Sequence, residues 1–521
     1  MTADHVNLST LVDRCLEAGL GGKTALVSHQ ETVCYAELHR RMCAAGRALR
    51  ALGVHREQRV LLVLDDTPAF FTAFLGACRI GAVPIPLDPR ATADQVRFCA
   101  EDSYATAAVV HADRYRDLAP ALREAGVTVV PAEPTDDGGA PCLRDLLGAH
   151  QGGLDPVRTH AEDPAFWLYS SGTTGRPKGV VHLHRDAAAV CRHYAGGVLG
   201  ATREDVHLST TKAFHAYGLG NSLLFPLWSG ATTVLLSGFP APHTVLETVE
   251  RTRPTLFFSV PALYNAMPRS PGAAGRDLSS VRLCVSAAET LPAHVWHRWH
   301  DLYGLTILDG VGSTEMLHIY CSNTPGAVRP GSSGRPVPGY EIRLVGPGGA
   351  DVTGEGGGEM YVRGGSMSAQ YWHRTELTRS VLHGPWYRTG DRYRRDGDGF
   401  YWYEGRADDM LKISGLWVAP TEIETCLQQH PRVAEAAVVA VDTERLARIK
   451  AFVVLRDGHR GSDALARQLR QWCKDRLQGR HYPHLVEFAA ALPRTTTGKI
   501  RRSALRGRSA EDTRNAAARA R

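Results

Sequence analysis

Short Val/Leu-rich runs alternating with amphipathic segments constrain this chain more than any other feature. Residues 36–52 are apolar at helical spacing, 59–64 form a Val/Leu strand, and 68–80 give a second helix that stops at Gly81. The alternation continues through 107–111 and 127–131 to 305–308. Strands separated by helices predict an α/β architecture of mostly parallel sheets with helices on their faces. At 521 residues the chain exceeds one ordinary core, so two or more domains are expected. After Gly331 the texture changes to short strands between Gly and Pro turns, at 340–345 and 359–362, which predicts a β-rich subdomain over about 331–404. Beyond residue 405 come a helix at 419–429 opened by Pro420, strands at 433–441 and 450–455, and a helix at 462–477. These predict a compact α+β module of roughly a hundred residues. The division between the large part, 1–404, and the small one falls in Glu404-Gly405-Arg406-Ala407-Asp408-Asp409.

Composition narrows the function classes. Hydrophobic residues at 43% and charged residues at 22% are those of a globular protein. No run of about 18 apolar residues is present and the first residues lack the blocks of a signal peptide, so no membrane span and a cytoplasmic location are expected. The net charge of +6 is modest, and part of it lies in an Ala/Arg-rich tail, 508–521. A basic tail can contact nucleic acid, but a solvated, disordered end is the expectation, with no nucleic-acid partner. The eleven cysteines are scattered without a Cys-x-x-Cys pair or a Cys/His cluster, which predicts a reduced compartment and no structural zinc.

Chemistry concentrates in Tyr169-Ser-Ser-Gly-Thr-Thr-Gly-Arg-Pro-Lys-Gly179, which follows a strand predicted at 165–169. Backbone amides, Gly172 and the hydroxyls of Ser170, Ser171, Thr173 and Thr174 can all approach phosphate oxygens, and Lys178 adds a cation. The run is not a Walker loop, because Lys178 is followed by Gly179 and Val180. A flexible surface loop is the bland alternative; Lys178 and the later motifs favour a nucleoside triphosphate. Asp309-Gly-Val-Gly-Ser-Thr-Glu315 ends in the hydroxyl–carboxylate pair Thr314 and Glu315, and Glu315 suits Mg²⁺. Tyr387-Arg-Thr-Gly-Asp391 is expected to place a carboxylate on a turn, where it can accept from a ribose diol. Val285-Ser-Ala-Ala-Glu289, with Ala288 and Glu289, offers small residues against a flat base. Arg406 and Asp408 lie in the division segment, and Thr495-Thr-Thr-Gly-Lys499 puts a lysine near the C-terminus.

In this order these motifs resemble the acyl-adenylating superfamily of acyl- and aryl-CoA ligases, peptide-synthetase adenylation domains and luciferases, over about residues 10–505. The resemblance implies a large N-terminal domain of stacked sheets, a hinge at 405–408 pivoting on Asp408, and a small mobile C-terminal lid at 409–507. It implies that a carboxylate attacks the α-phosphate of ATP and that a thiol then displaces AMP. Lys499 would bridge the carboxylate and the α-phosphate, Lys178 and the hydroxyl loop would hold the outer phosphates with Mg²⁺ near Glu315, and Asp391 supported by Arg406 would hold the ribose.

Lys212-Ala-Phe-His-Ala-Tyr-Gly-Leu-Gly-Asn221, Gly312-Ser-Thr-Glu-Met-Leu-His-Ile-Tyr320 and Pro336-Val-Pro-Gly-Tyr-Glu341 resemble the benzoate-CoA ligase branch. The resemblance implies an aryl pocket lined by Ala216, Tyr217, Gly312, His318 and Ile319, with core packing the competing role for Tyr217 and Ile319. His215 stands where that branch carries Phe, so a polar ring is expected near a ring substituent. The expected acceptor is CoA. Transfer to a carrier-protein phosphopantetheine, or diazotase chemistry joining nitrite to an aryl amine, are the alternatives. Relatives in that branch also make a homodimer an expectation.

Overall fold

The computed structural model describes residues 6–135, 141–171, 176–239, 241–407, 411–413, 416–418, 420–443, 446–477, 482–494, 500–502 and 504–506. It divides into two compact units, one of 1–342 with 361–388 and the other of 343–360 with 389–521.

The first unit carries the predicted alternation. Arg59–Val63, Val83–Pro86, Ala105–Val110 and Thr128–Pro131 form an all-parallel four-stranded sheet. The helices Pro68–Arg79, Ala93–Ser103 and Ala112–Glu124 connect its strands. Pro68 at the first helical position and the capping box of Thr92 with Gln95 start two of these helices where the sequence signals them. A nine-stranded sheet holds six parallel strands at its centre, from Thr24–Val27 through Thr232–Val234, Val206–Ser209, Leu256–Ser259 and Leu283–Ser286 to Ile307–Gly312. Antiparallel strands flank this parallel core on both sides. A third, three-stranded sheet consists of the antiparallel hairpin Pro164–Ser171 and Pro177–Leu183 with Gln370–Tyr371 at its edge. Trp167 and Val181 of this hairpin pack into the apolar cluster of the four-stranded sheet, so the hairpin is seated rather than free. No helix among the described residues is long and apolar enough to cross a membrane.

In the second unit, positions 391–395 of the Trp386–Arg395 strand pair antiparallel with Tyr401–Arg406. The helices Pro420–Gln428 and Asp463–Arg476 pack with the sheet of Val433–Thr443, Leu446–Leu455 and Leu485–Phe488. Ile423, Leu427, Val438, Val453, Leu465 and Leu469 form the core of this unit, each buried.

Candidate active site

The hairpin revises the expected phosphate loop. Ser170 and Lys178 are opposed across an antiparallel ladder, as are Tyr169 and Gly179, so Lys178 stands on a strand and not in a loop. Ladder pairing with Pro164–Ser171 carries the second strand back to Pro177 and fixes the direction of Lys178. Ser170 Oγ is buried without a hydrogen-bond partner among the described residues. Gly172, Thr173 and Thr174 lie outside the described residues, as do Lys499 and Asp408.

Lys178 Nζ sits 3.2 Å from Glu315 Oε1 and 4.0 Å from the centre of the Tyr371 ring. Tyr371 Oη donates to Glu315 Oε1 at 2.7 Å, and Tyr387 Oη donates to Oε2 at 3.1 Å. Burial alone would raise the Glu315 carboxyl, but the Lys178 charge and the Tyr371 hydroxyl outweigh it and hold it below the usual carboxylate range. Glu315 is therefore a buried, ionised carboxylate with a cation beside it. Sequence carries little signal for the two tyrosines: Tyr387 shares a motif with Asp391, and nothing around Tyr371 marks it.

The adjoining strand ends supply the other groups. Asp309 lies on Ile307–Gly312 and Ser286 closes Leu283–Ser286, at the carboxyl ends of parallel strands where open α/β sheets bind ligands. Asp309 Oδ2 accepts from Leu291 N–H at 3.4 Å, while Oδ1 has no partner of good geometry among the described residues. Burial pushes this carboxyl up to about 8, offset only in part by the Ser286 hydroxyl and neighbouring amides. Ala288 is exposed with φ +77°, and Glu289 follows it half-buried. Thr314 is half-buried next to Glu315.

The residues expected around an aryl ring gather nearby. His318 is buried against the rings of Tyr194, Tyr217 and Phe225, with centroids 5.2, 5.3 and 4.6 Å away. His318 Nε2 lies 3.1 Å from Asn221 Oδ1, and burial drops the imidazole to about 3, so the ring is neutral. Tyr217 Oη donates to the Val285 carbonyl at 3.1 Å. Ala216 opens the short Ala216–Leu219 helix, and Ile319 begins the Ile319–Ser322 strand. His215 is half-buried with its ring 4.3 Å from that of Phe214. A Cβ on Gly312 would come within 2.5 Å of the His318 carbonyl, so only glycine fits there. Asn221, to which the sequence motif alone assigns no role, is the residue that orients His318.

In the second unit, Asp391 corrects a second expectation. It lies on a strand, not a turn, directly across from Arg406, whose Nη1 is 3.1 Å from Asp391 Oδ1 and also donates to the Thr389 carbonyl at 3.0 Å. The alternation of buried Tyr387 and Thr389 with more exposed neighbours runs straight through the Gly390 that suggested a turn. Gly390 has φ +69°, and a Cβ there would lie 2.7 Å from the Arg406 guanidinium, so glycine bends the strand without ending it.

Residues 16–372 match the model of the AMP-binding enzyme family and residues 422–499 that of the AMP-binding enzyme C-terminal domain. The chain is 43% identical to a 4-hydroxybenzoate–CoA/benzoate–CoA ligase of Rhodopseudomonas palustris, over 95% of this chain and 92% of that protein. It superimposes on a benzoate CoA ligase of Burkholderia xenovorans with a TM-score of 0.89 at 40% identity, over 96% of this chain and 99% of the other. An anthranilate CoA ligase solved with anthranoyl-AMP gives a TM-score of 0.91 at 36% identity, over 97% of each chain.

Proposed function

The chain belongs to the AMP-binding enzyme family, and from that premise we propose that it activates a benzoate-type acid with ATP and passes the acyl group to CoA. It is an AMP-forming acid–thiol ligase that works in two half-reactions. A carboxylate oxygen of the acid attacks the α-phosphorus, the bond to the bridging oxygen breaks, and pyrophosphate leaves. The thiol sulfur then attacks the acyl carbon, AMP departs, and the thiol proton is released to solvent. CoA is favoured over a carrier protein or nitrite because relatives matching over nearly their whole length are named CoA ligases.

Each group has a physical task. Lys178 with residues 170–174 holds the outer phosphates, and Thr314 donates to the phosphate nearest the acid. Asp391, held by Arg406, accepts from the ribose; Ala288, Glu289 and Asp309 meet the base. Ala216, Tyr217, Gly312, His318 and Ile319 bound the aryl ring, with His215 at its edge. Lys499 supplies positive charge where it builds on the α-phosphate, and Asp408 is the pivot that withdraws it before the second step.

A divalent cation fits the donor set. Among the described residues no group of three His, Cys, Asp or Glu could hold a metal alone, but one ionised carboxylate with nucleotide phosphates is the arrangement Mg²⁺ favours. Glu315 would hold it, and the ion would neutralise phosphate charge.

The observation that carries this reading is the meeting of Lys178 and Glu315, 3.2 Å apart though 137 residues distant in sequence, together with the buried aromatic cluster around His318. Pyrophosphate release with benzoate, hydroxybenzoates and aminobenzoates, with and without CoA, tests it. An aryl-CoA mass that appears only when acid, ATP and CoA are all present is the expected product. Release of pyrophosphate with no thioester under any condition would remove CoA as the acceptor.

A further inference from the structure

Four residues beyond Lys178, on the same face of the same strand, stands a histidine with no part in the scheme above. His182 and Asp186 are both fully buried, 0% exposed. His182 Nε2 lies 2.8 Å from the Thr314 carbonyl oxygen, an acceptor only, so Nε2–H donates to it. Its Nδ1 lies 3.0 Å from Asp186 Oδ2, which also accepts the Leu183 amide at 3.0 Å. The Phe166 ring stacks against the imidazole, centroids 5.3 Å apart, and blocks rotation from one side.

The strand Pro177–Leu183 thus grips residues 314–315 at two points, by Lys178 on the Glu315 carboxylate and by His182 on the Thr314 carbonyl. The segment it grips is under strain. Leu317, fully buried, has φ +65°, a left-handed conformation that a branched side chain rarely adopts. Its amide closes the turn onto the same Thr314 carbonyl at 3.1 Å. The function proposed above requires Lys178 to turn to phosphate and Glu315 to a cation, which dissolves the first grip. The second uses neither functional group and survives.

We propose that His182, oriented by Asp186, is a positioning residue that holds the strained Thr314–Leu317 turn in place while Lys178 and Glu315 engage the nucleotide. This rests on the reading above, and the test separates the two.

The full-length chain is made as His182→Leu, His182→Gln and Asp186→Asn. Each is assayed for pyrophosphate release over a range of ATP, and for thioester formation from synthetic benzoyl-adenylate and CoA. Loss of the anchor is expected to lower kcat/KM for ATP by ~10²-fold, as misplacement of a reacting group does. Thioester formation from the preformed adenylate, which needs no outer-phosphate grip, is expected to fall far less. His182→Gln, whose Nε2–H can reach the same carbonyl, is expected to recover most of the loss, and Asp186→Asn to give an intermediate one. Equal losses in both half-reactions with no recovery by Gln would reduce His182 to core packing and overturn the proposal, as would unchanged ATP kinetics. If His182→Leu does not fold, Asp186→Asn carries the split between the two half-reactions, with His182→Gln as the recovered control. Lys499→Ala run alongside keeps the two ideas apart: pyrophosphate release unaffected by its loss would sink the proposed mechanism, not the role of His182.

Discussion

Glu315 is where the chemistry of single residues is most exposed to test. One buried carboxylate takes Lys178, Tyr371 and Tyr387 at once, and its charge is what each of them answers. Glu315→Gln keeps the shape and removes that charge. It is expected to lower pyrophosphate release by ~10²–10³ in kcat, the usual scale for a lost charge-stabilising group. An activity within a few-fold of the parent would show that the carboxylate serves only the fold. Because the carboxyl is held low, its stabilising contribution is complete above the ordinary carboxylate range, about 4.3, and is lost as pH falls through the lower folded value. Asp309 behaves oppositely. Its carboxyl, pushed up to about 8, stays protonated in the folded chain while the unfolded chain ionises near 3.9. Parent stability therefore erodes as pH rises across that window. The advantage of Asp309→Asn in unfolding temperature should grow between about pH 5 and about pH 8. A constant difference would mean that the native carboxylate is ionised throughout. The candidate carboxylates Asp309, Glu315 and Asp391 are legible in the sequence because each sits in a Gly/Ser/Thr-containing motif. The tyrosine partners of Glu315 are not, because Tyr371 reaches Glu315 across 56 residues of chain and only the folded sheet brings them together.

At the scale of elements, the sequence was clearest where one period held over many residues. The helices predicted at 36–52 and 68–80 are observed as Tyr35–Ala51 and Pro68–Arg79, since helical spacing and a Gly just beyond the end agree in both and Pro68 starts the second. The sequence predicts a loop around Lys178 and a turn at Asp391 where the structure has a hairpin and a strand, because Gly and Pro signal breaks locally while ladder pairing is a long-range fact. A less visible element is the π-helical turn Gly220–Leu224, following directly on Ala216–Leu219. Such turns collect at functional sites, and this one presents Asn221 to His318. Gly220 is obligatory in it: a Cβ there would lie 2.4 Å from His318 Cδ2, and the rings of Tyr194, Tyr217 and Phe225 leave the imidazole nowhere to retreat. Gly220→Ala is therefore expected to raise KM for the aryl acid about tenfold or more while leaving KM for ATP within a factor of about two, an acid-site displacement costing what a misfitted pocket costs. Parallel rises in both constants would place His318 outside the acid pocket.

Over the whole molecule, charge is divided unevenly. Residues 409–521 hold 21 Lys and Arg against 12 Asp and Glu, whereas the first 408 residues hold 39 against 42, so the modest total of +6 conceals a basic C-terminal part. An aryl acid carries one negative charge, while CoA carries several phosphates. A long-range field of this sign attracts the second far more than the first, and salt weakens it because the Debye length shrinks from about 10 Å at 0.1 M to about 3 Å at 1 M. The two half-reactions should therefore separate under ionic strength. Raising NaCl from about 0.05 to about 0.5 M is expected to increase KM for CoA several-fold in the reaction started from synthetic benzoyl-adenylate. KM for the aryl acid in pyrophosphate release should change by less than about twofold over the same range. Sulfate or inorganic phosphate at matched ionic strength would show whether the effect is screening alone or occupancy of a phosphate-binding surface, since occupancy makes the larger anion disproportionately inhibitory. If both constants respond equally, the basic excess plays no part in acceptor capture, and its place in the molecule is a matter of solvation.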